Sequence, residues 1–325
     1  MLFFTNILVH RFVNNCTNHV GCGFEFVKAL QYVYNAFVCS IVIFFSFYAL
    51  KWYTGLERQY RLYAKERYPM KNKEIDLIAF MGQSNMAGRG TAEDAPNVPE
   101  GTAYEFRAVT DPTRLYPLTE PFGKDENDPE GVFEPGMKTG SMVSAFVNAY
   151  FKETHTPVVG VSCAKGGSSI TEWIPGTPYY QDALKRVRSG SSWLADHDIS
   201  IRHRFMVWCQ GCTDGDLHTD PDVYKQETAS MIRQFLKDCH METCFLIQIG
   251  NHRDDPGLYV PIQNAQMELA KEPHIILVSR QFAAFAARGL MKDEFHYLQE
   301  GYNLVGAEAG KNAGLYLNKL SSIIS

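Results

Sequence analysis

The sequence predicts an α/β protein, a three-layer α/β/α sandwich around a central parallel sheet, preceded by an N-terminal helical segment. Three observations predict it. After residue 73, short apolar runs alternate with helical patterns, as in a parallel sheet covered on both faces. Residues able to do chemistry stand directly after those runs, where ligands gather at the carboxyl ends of strands. And 325 residues with 45% hydrophobic content supply a core for one sizeable α/β domain with an appendage.

Residues 1–69 form an N-terminal extension. Ala29 to Leu50 carries no charge between Lys28 and Lys51, and its centre from Phe37 to Tyr48 is strongly apolar. A helix of that length, at about 1.5 Å per residue, crosses a hydrocarbon layer of ~30 Å, so residues 29–50 are a candidate single-pass membrane anchor. The run starts too far in, and lacks a small-residue cleavage site, for a cleaved signal peptide. Positive charge is heavier on the following side, at Lys51, Arg58, Arg61, Lys65 and Arg67, which places the downstream domain in the cytoplasm. A second reading takes Met70 as the natural start and residues 1–69 as an upstream extension; the domain is then cytoplasmic without an anchor.

Residues 70–325 form one domain, with no internal repeat. Strands are expected at Ile75–Met81, Val158–Ser162, Phe205–Trp208, Cys244–Ile249 and Ile275–Ser279. Helices are expected at Ser141–Phe151, with Ser141 as N-cap, and at Pro221–Lys237, Pro261–Ala270 and Leu298–Leu317. The stretch Thr91–Gly140, rich in Pro, Gly and acid, has no period and reads as long loops. A formal net charge of -5, with no basic stripe, argues against nucleic acid as a partner. No Gly-rich phosphate loop is present, which argues against a kinase or nucleotide-binding enzyme.

Four local signals carry chemistry. Gly82-Gln83-Ser84-Asn85-Met86 follows the first strand; a serine there either caps a helix or, beside a base, serves as a nucleophile. Met86 stands where the α/β-hydrolase elbow requires glycine, so another serine-hydrolase architecture is needed. Asp293-Glu294-Phe295-His296 places an acid three residues before a histidine, able to turn back onto its Nδ1–H and leave Nε2 free. Gly166-Gly167, just past the second strand, lets a backbone N–H approach a ligand closely, as an oxyanion hole requires. Gln210-Gly211, after Trp208 and Cys209, offers a side-chain amide to the same oxyanion.

In this order the four blocks resemble those of the SGNH hydrolases, and more narrowly the carbohydrate esterases grouped with sialate O-acetylesterases and acetylxylan esterases. The resemblance runs from about Ile75 to Gly306. It implies a flavodoxin-like sandwich, Ser84 as nucleophile, His296 as general base and then acid, and Asp293 as orienting carboxylate. It also implies an oxyanion hole from the Ser84 N–H, a glycine N–H at Gly166 or Gly167, and the Gln210 side chain. Gln83, Asn85, Trp173 and Asp214 are further candidates for contact with substrate. The substrate implied is an O-acetylated carbohydrate, removed through an acyl-enzyme with no metal or organic cofactor. The family usually has glutamate after the Gln-Gly pair; here Cys212 stands there and Asp214 remains. The resulting Cys209-x-x-Cys212 spacing, with Cys239 and Cys244 nearby, is also a zinc pattern, but Cys209 continues a strand rather than a metal knuckle. Aromatics of the long loops, Tyr104, Phe106, Tyr116 and Phe122, with Trp173, are candidate stacking faces for sugar rings. Two alternatives accompany this reading, an esterase of lipid or small-molecule esters and a catalytically impaired carbohydrate-binding protein.

Overall fold

The apolar run after Lys73 forms strand β1 (Glu74–Gly82), buried at every residue but the first. In the computed structural model, which describes residues 74–324, β1 is the middle strand of seven in the order β3-β2-β4-β1-β5-β6-β7. The others are β2 (Ala103–Phe106), β3 (Leu115–Pro117), β4 (Val158–Ala164), β5 (Ser200–Cys209), β6 (Thr243–Ile247) and β7 (Ile275–Ser279). All neighbouring strands are parallel except β2 and β3 at one edge. The β2–β3 pair lies in the stretch expected to be loop, and the strands are only four and three residues long. Too short to show alternation, they also hide a buried charge, since Glu105 in β2 accepts from Arg107 and from the Gly123 N–H.

Seven helices are described: α1 (Ser84–Ala87), α2 (Val143–Thr154), α3 (Pro178–Asp196), α4 (Cys212–Asp216), α5 (Pro221–Asp238), α6 (Val260–Leu269) and α7 (Gln299–Ile324). The expected strands and helices are present with shifted ends. Helix α3 and the short α1 and α4 are additions, α3 being the long one. The inner face of α3 carries, beside Ala183, Val187 and Leu194, the buried pair Asp182 and Arg186, whose guanidinium also donates to the carbonyls of Ser162 and Glu126. The N-cap of α2 is Met142 rather than the expected Ser141, which stands one residue earlier and accepts the Val143 N–H at 3.0 Å while its hydroxyl donates to Glu120.

Side chains alternate across the sheet. Ile78, Phe80, Phe205, Val207 and Phe245 pack with Phe146 and Tyr150 of α2 and Val305 and Ala309 of α7 in one core. Helices α2 and α7 meet at Gly306 and Gly310, where a Cβ would stand 2.3 and 2.1 Å from the Met142 and Phe146 carbonyl oxygens. The opposite sheet face, with Trp208 and Met206 buried, faces α3 and α5. Among the described residues no helix is long and apolar enough to cross a membrane; the candidate span at 29–50 lies outside them.

Register fixes what this scaffold presents. Gly82 pairs with Ala164 on one side and Cys209 on the other, so β4, β1 and β5 end level. The chain runs from β1 to the β2–β4 side and then returns across β1 to β5, which makes the carboxyl end of β1 the switch point of the sheet. Gln83-Ser84, Lys165-Gly166 and Gln210-Gly211 therefore emerge at one edge.

Candidate active site

Ser84 is delivered by the tight junction after β1. Gly82 has φ +131°, and a Cβ on it would lie 2.1 Å from the Cys209 carbonyl oxygen, so only glycine fits where β1 and β5 close together. Gln83 N–H then donates to that carbonyl, and Ser84 opens the single turn α1, closed by Gly88 N–H on the Ser84 carbonyl at 2.8 Å. As the first residue of a helix, Ser84 has no intrahelical partner for its own N–H.

His296 comes from the segment between β7 and α7. The Met291–Tyr297 bridge and the Lys292 N–H on the His296 carbonyl, at 2.8 Å, hold its backbone. Its Nε2 lies 2.9 Å from Ser84 Oγ, and its Nδ1 lies 2.8 Å from Asp293 Oδ2. The other carboxylate oxygen, Oδ1, accepts the N–H groups of Phe295 at 3.1 Å and His296 at 2.7 Å. This network assigns the Nδ1–H tautomer, with the Nε2 lone pair turned to the serine. Burial lowers the His296 pKa, the Asp293 hydrogen bond and charge raise it, and Arg89 and Lys292 lower it again; the balance lies below 6.5. Burial raises Asp293, but its hydrogen bonds and the nearby imidazole outweigh that and leave it below the ordinary carboxylate value. The three side chains are thus aligned so that the imidazole can accept a proton from the Ser84 hydroxyl.

A cavity of about 580 Å³ opens over Ser84 and His296. Its walls include the glycine pair and the ion pair of Arg89 and Glu134, 2.7 Å apart and both buried. Gly166 is the closer glycine: a Cβ there would sit 3.3 Å from Ser84 Cβ and 2.4 Å from Glu134 Oε1. Its N–H already donates to Glu134 Oε1 at 2.8 Å. Gly167, at φ +67°, faces open space. Neither Arg89 nor Glu134 was among the residues expected from the sequence. Arg89 follows the serine block between two glycines, but Glu134 lies in the aperiodic loop region, with no pattern to mark it.

Other expected residues are placed differently. Gln210 is fully buried, and its Nε2 donates to the Ser168 carbonyl at 3.0 Å and to Asp214, which commits both amide protons and leaves none for an oxyanion. Asp214 is buried with it, accepting also from Ile170 N–H at 3.0 Å and Thr219 at 3.1 Å. Gln83 lends its carbonyl oxygen to the N–H groups of Gly211 at 2.7 Å and Cys212 at 2.9 Å, tying β1 to the start of α4. Asn85 donates to the Phe295 carbonyl at 3.0 Å and accepts from Tyr302 at 2.7 Å, fastening the serine turn to the histidine segment. Trp173 is not a stacking face: it is fully buried edge-on to Trp208, with Nε1 donating to Ser168 at 2.8 Å. Phe106 and Phe122 are core residues, and Tyr116 lies between the guanidiniums of Arg107 and Arg114. Cys209 ends β5 and Cys212 begins α4, both free and buried, and Cys212 reaches the cavity wall. Among the described residues no group of three or more His, Cys, Asp or Glu side chains is placed to hold a metal.

The sheet order is that of a flavodoxin-like α/β/α sandwich, with Ser84, His296 and Asp293 aligned at the carboxyl end of β1. The family model for carbohydrate esterases described as sialic acid-specific acetylesterases matches residues 74–313, and the chain belongs to that family. It is 28% identical over 205 residues to a probable carbohydrate esterase of Arabidopsis thaliana, spanning 56% of this chain and 70% of that one. An Arabidopsis thaliana crystal structure superposes with a TM-score of 0.59 at 22% identity, over 75% of this chain and 98% of the other. A carbohydrate acetylesterase from Xanthomonas citri superposes with a TM-score of 0.50 at 14% identity, over 74% of this chain and 56% of that one. These two likenesses are of fold.

Proposed function

We propose that this chain removes O-acetyl groups from a carbohydrate by a serine double displacement, with Ser84 as nucleophile, His296 as base and then acid, and Asp293 as orienting carboxylate. The observation that carries the reading is the unbroken relay, 2.8 Å from Asp293 to His296 and 2.9 Å from His296 to Ser84. His296 takes the Ser84 proton as Oγ attacks the acetyl carbonyl carbon. The tetrahedral intermediate collapses as the C–O bond to the sugar breaks, and His296 returns the proton to the leaving hydroxyl. Water, deprotonated by His296, then attacks the acetyl-enzyme, and acetate leaves with Ser84 reprotonated.

The developing oxyanion is received by the Ser84 N–H and the glycine pair. Gly166 N–H can serve when the ester oxygen replaces Glu134 Oε1 as its acceptor. The chemistry closes on side chains and water, without a metal or cofactor. Arg89 and Glu134 on the cavity wall offer charged partners to a hydroxylated leaving group.

The test is acetate release from acetylated xylan, O-acetylated sialic acid and an aryl acetate, wild type beside Ser84→Ala. Release from a sugar substrate that vanishes in the variant supports the proposal. Release that persists in the variant overturns the mechanism, and release from the aryl ester alone overturns the substrate.

A further inference from the structure

A second cavity, of about 560 Å³, lies beside the one over Ser84 and shares two wall residues with it, Phe133 and Lys165. The rest of its wall comes from the 129–131 loop and the stretch leading into α3. Phe133 is 46% exposed at this shared boundary, an apolar ring left uncovered between the two hollows. On the α3 side stands Tyr179, half-buried, its ring 5.6 Å from Trp173 and 5.9 Å from Lys165 Nζ. Trp173, fully buried, gives the tyrosine a fixed backing. The cavity wall also carries Thr171, bonded to Ser169, Thr177, which donates to the Glu172 and Ile174 carbonyls, and the exposed Glu172.

A sugar ring has an apolar C–H face and a rim of hydroxyls, so it is held by an aromatic ring beside carboxylates and hydroxyls. Each cavity falls within the roughly 300–1,000 Å³ of small-ligand sites. Because they share Phe133 and Lys165, one chain can occupy both.

We propose that the second cavity is a subsite for the sugar unit next to the acetylated one, so that the substrate is an O-acetylated oligosaccharide or polysaccharide rather than a monosaccharide. The inference rests on the esterase reading above and adds a site to it. Phe133 and Tyr179 present the stacking faces, and Glu172 offers a hydroxyl its second carboxylate oxygen, Oε2 being held by Ser169.

The experiment compares kcat/KM for O-acetylated mono-, di- and trisaccharides in a xylose series and a sialyl series, each divided by kcat/KM for an aryl acetate to cancel losses of folded enzyme. The expected result is a rise of about tenfold from mono- to trisaccharide in the series that is turned over, abolished in Tyr179→Ala and in Phe133→Ala. Calorimetry of unacetylated trisaccharides on the Ser84→Ala protein, with and without Tyr179→Ala, separates the two proposals. Tyr179-dependent binding without turnover keeps the subsite and removes the esterase. Turnover with no gain from chain length removes the subsite alone. Neither binding nor turnover removes both.

Discussion

Replacing Asp293 by asparagine tests the relay at its most informative point. Oδ1 accepts two backbone N–H groups, from Phe295 and His296, while Oδ2 faces His296 Nδ1. An asparagine must keep its carbonyl oxygen toward the two donors, because turning it would set an NH₂ against both. Its NH₂ then points at Nδ1, which can only accept, so the imidazole proton moves to Nε2. That nitrogen is the one 2.9 Å from Ser84 Oγ and can no longer take the serine proton. The tautomer error that costs about 10⁴-fold in kcat in the well-studied serine protease triad applies here, so a loss of about 10³- to 10⁴-fold is expected. The measurement is kcat for an aryl acetate near neutral pH, with the melting temperature as control. Asp293→Ala removes the carboxylate without presenting a donor to Nδ1 and should be no worse than Asp293→Asn. An asparagine variant within about tenfold of wild type would refute the argument.

Three further perturbations follow from the same geometry. Because the base must be neutral and its pKa is lowered, kcat/KM should be full at neutral pH and fall as pH drops through a midpoint below 6.5; Lys292→Met, removing a positive charge that disfavours imidazolium, should move that midpoint upward, and a pH profile that moves down contradicts it. Gly82→Ala drives a Cβ to 2.1 Å from the Cys209 carbonyl at a backbone angle few residues adopt; a loss of roughly 3 kcal/mol or more is expected, about 6–12 °C in melting temperature, and a change under about 2 °C would show that the junction yields. Gln210→Leu should destabilise by about 1–3 kcal/mol, since Ser168 and Asp214 lose a buried donor. Its kcat should change less than tenfold, against about 10²–10³ for a lost oxyanion donor; a hundredfold drop at unchanged melting temperature would turn the amide back toward the reacting oxygen.

Much of this was legible in sequence because burial on both sheet faces writes a strand as a continuous apolar run, as in Ile75–Met81. The Asp293-x-x-His296 spacing was equally direct, since a three-residue turn brings the carboxylate back to the ring and needs no distant partner. What misled was direction. Standing after a strand end says where Gln210 sits but not where its amide points, and Asp214, one helical turn later, draws it inward. Trp173 was ambiguous for the same reason, its indole N–H being satisfied by Ser168 inside the core. Helix α3 was legible from its apolar face, Ala183, Leu184, Val187 and Leu194, and went unread; only the buried Asp182–Arg186 pair, which depends on carbonyls of β4 and of the loop region, has no local signal. The Arg89–Glu134 contact joins residues 45 positions apart across a segment without period, so no local pattern announces it.

The central claim is that Ser84 carries the acyl group. Treating the enzyme with an alkyl fluorophosphonate, digesting it and locating the label by mass spectrometry tests this most directly. One label per chain on the peptide holding Ser84 is expected, with complete loss of activity on labelling, no label in Ser84→Ala and slow labelling in His296→Ala. An active enzyme that resists the reagent, or is silenced by a label elsewhere while Ser84 stays free, would contradict it.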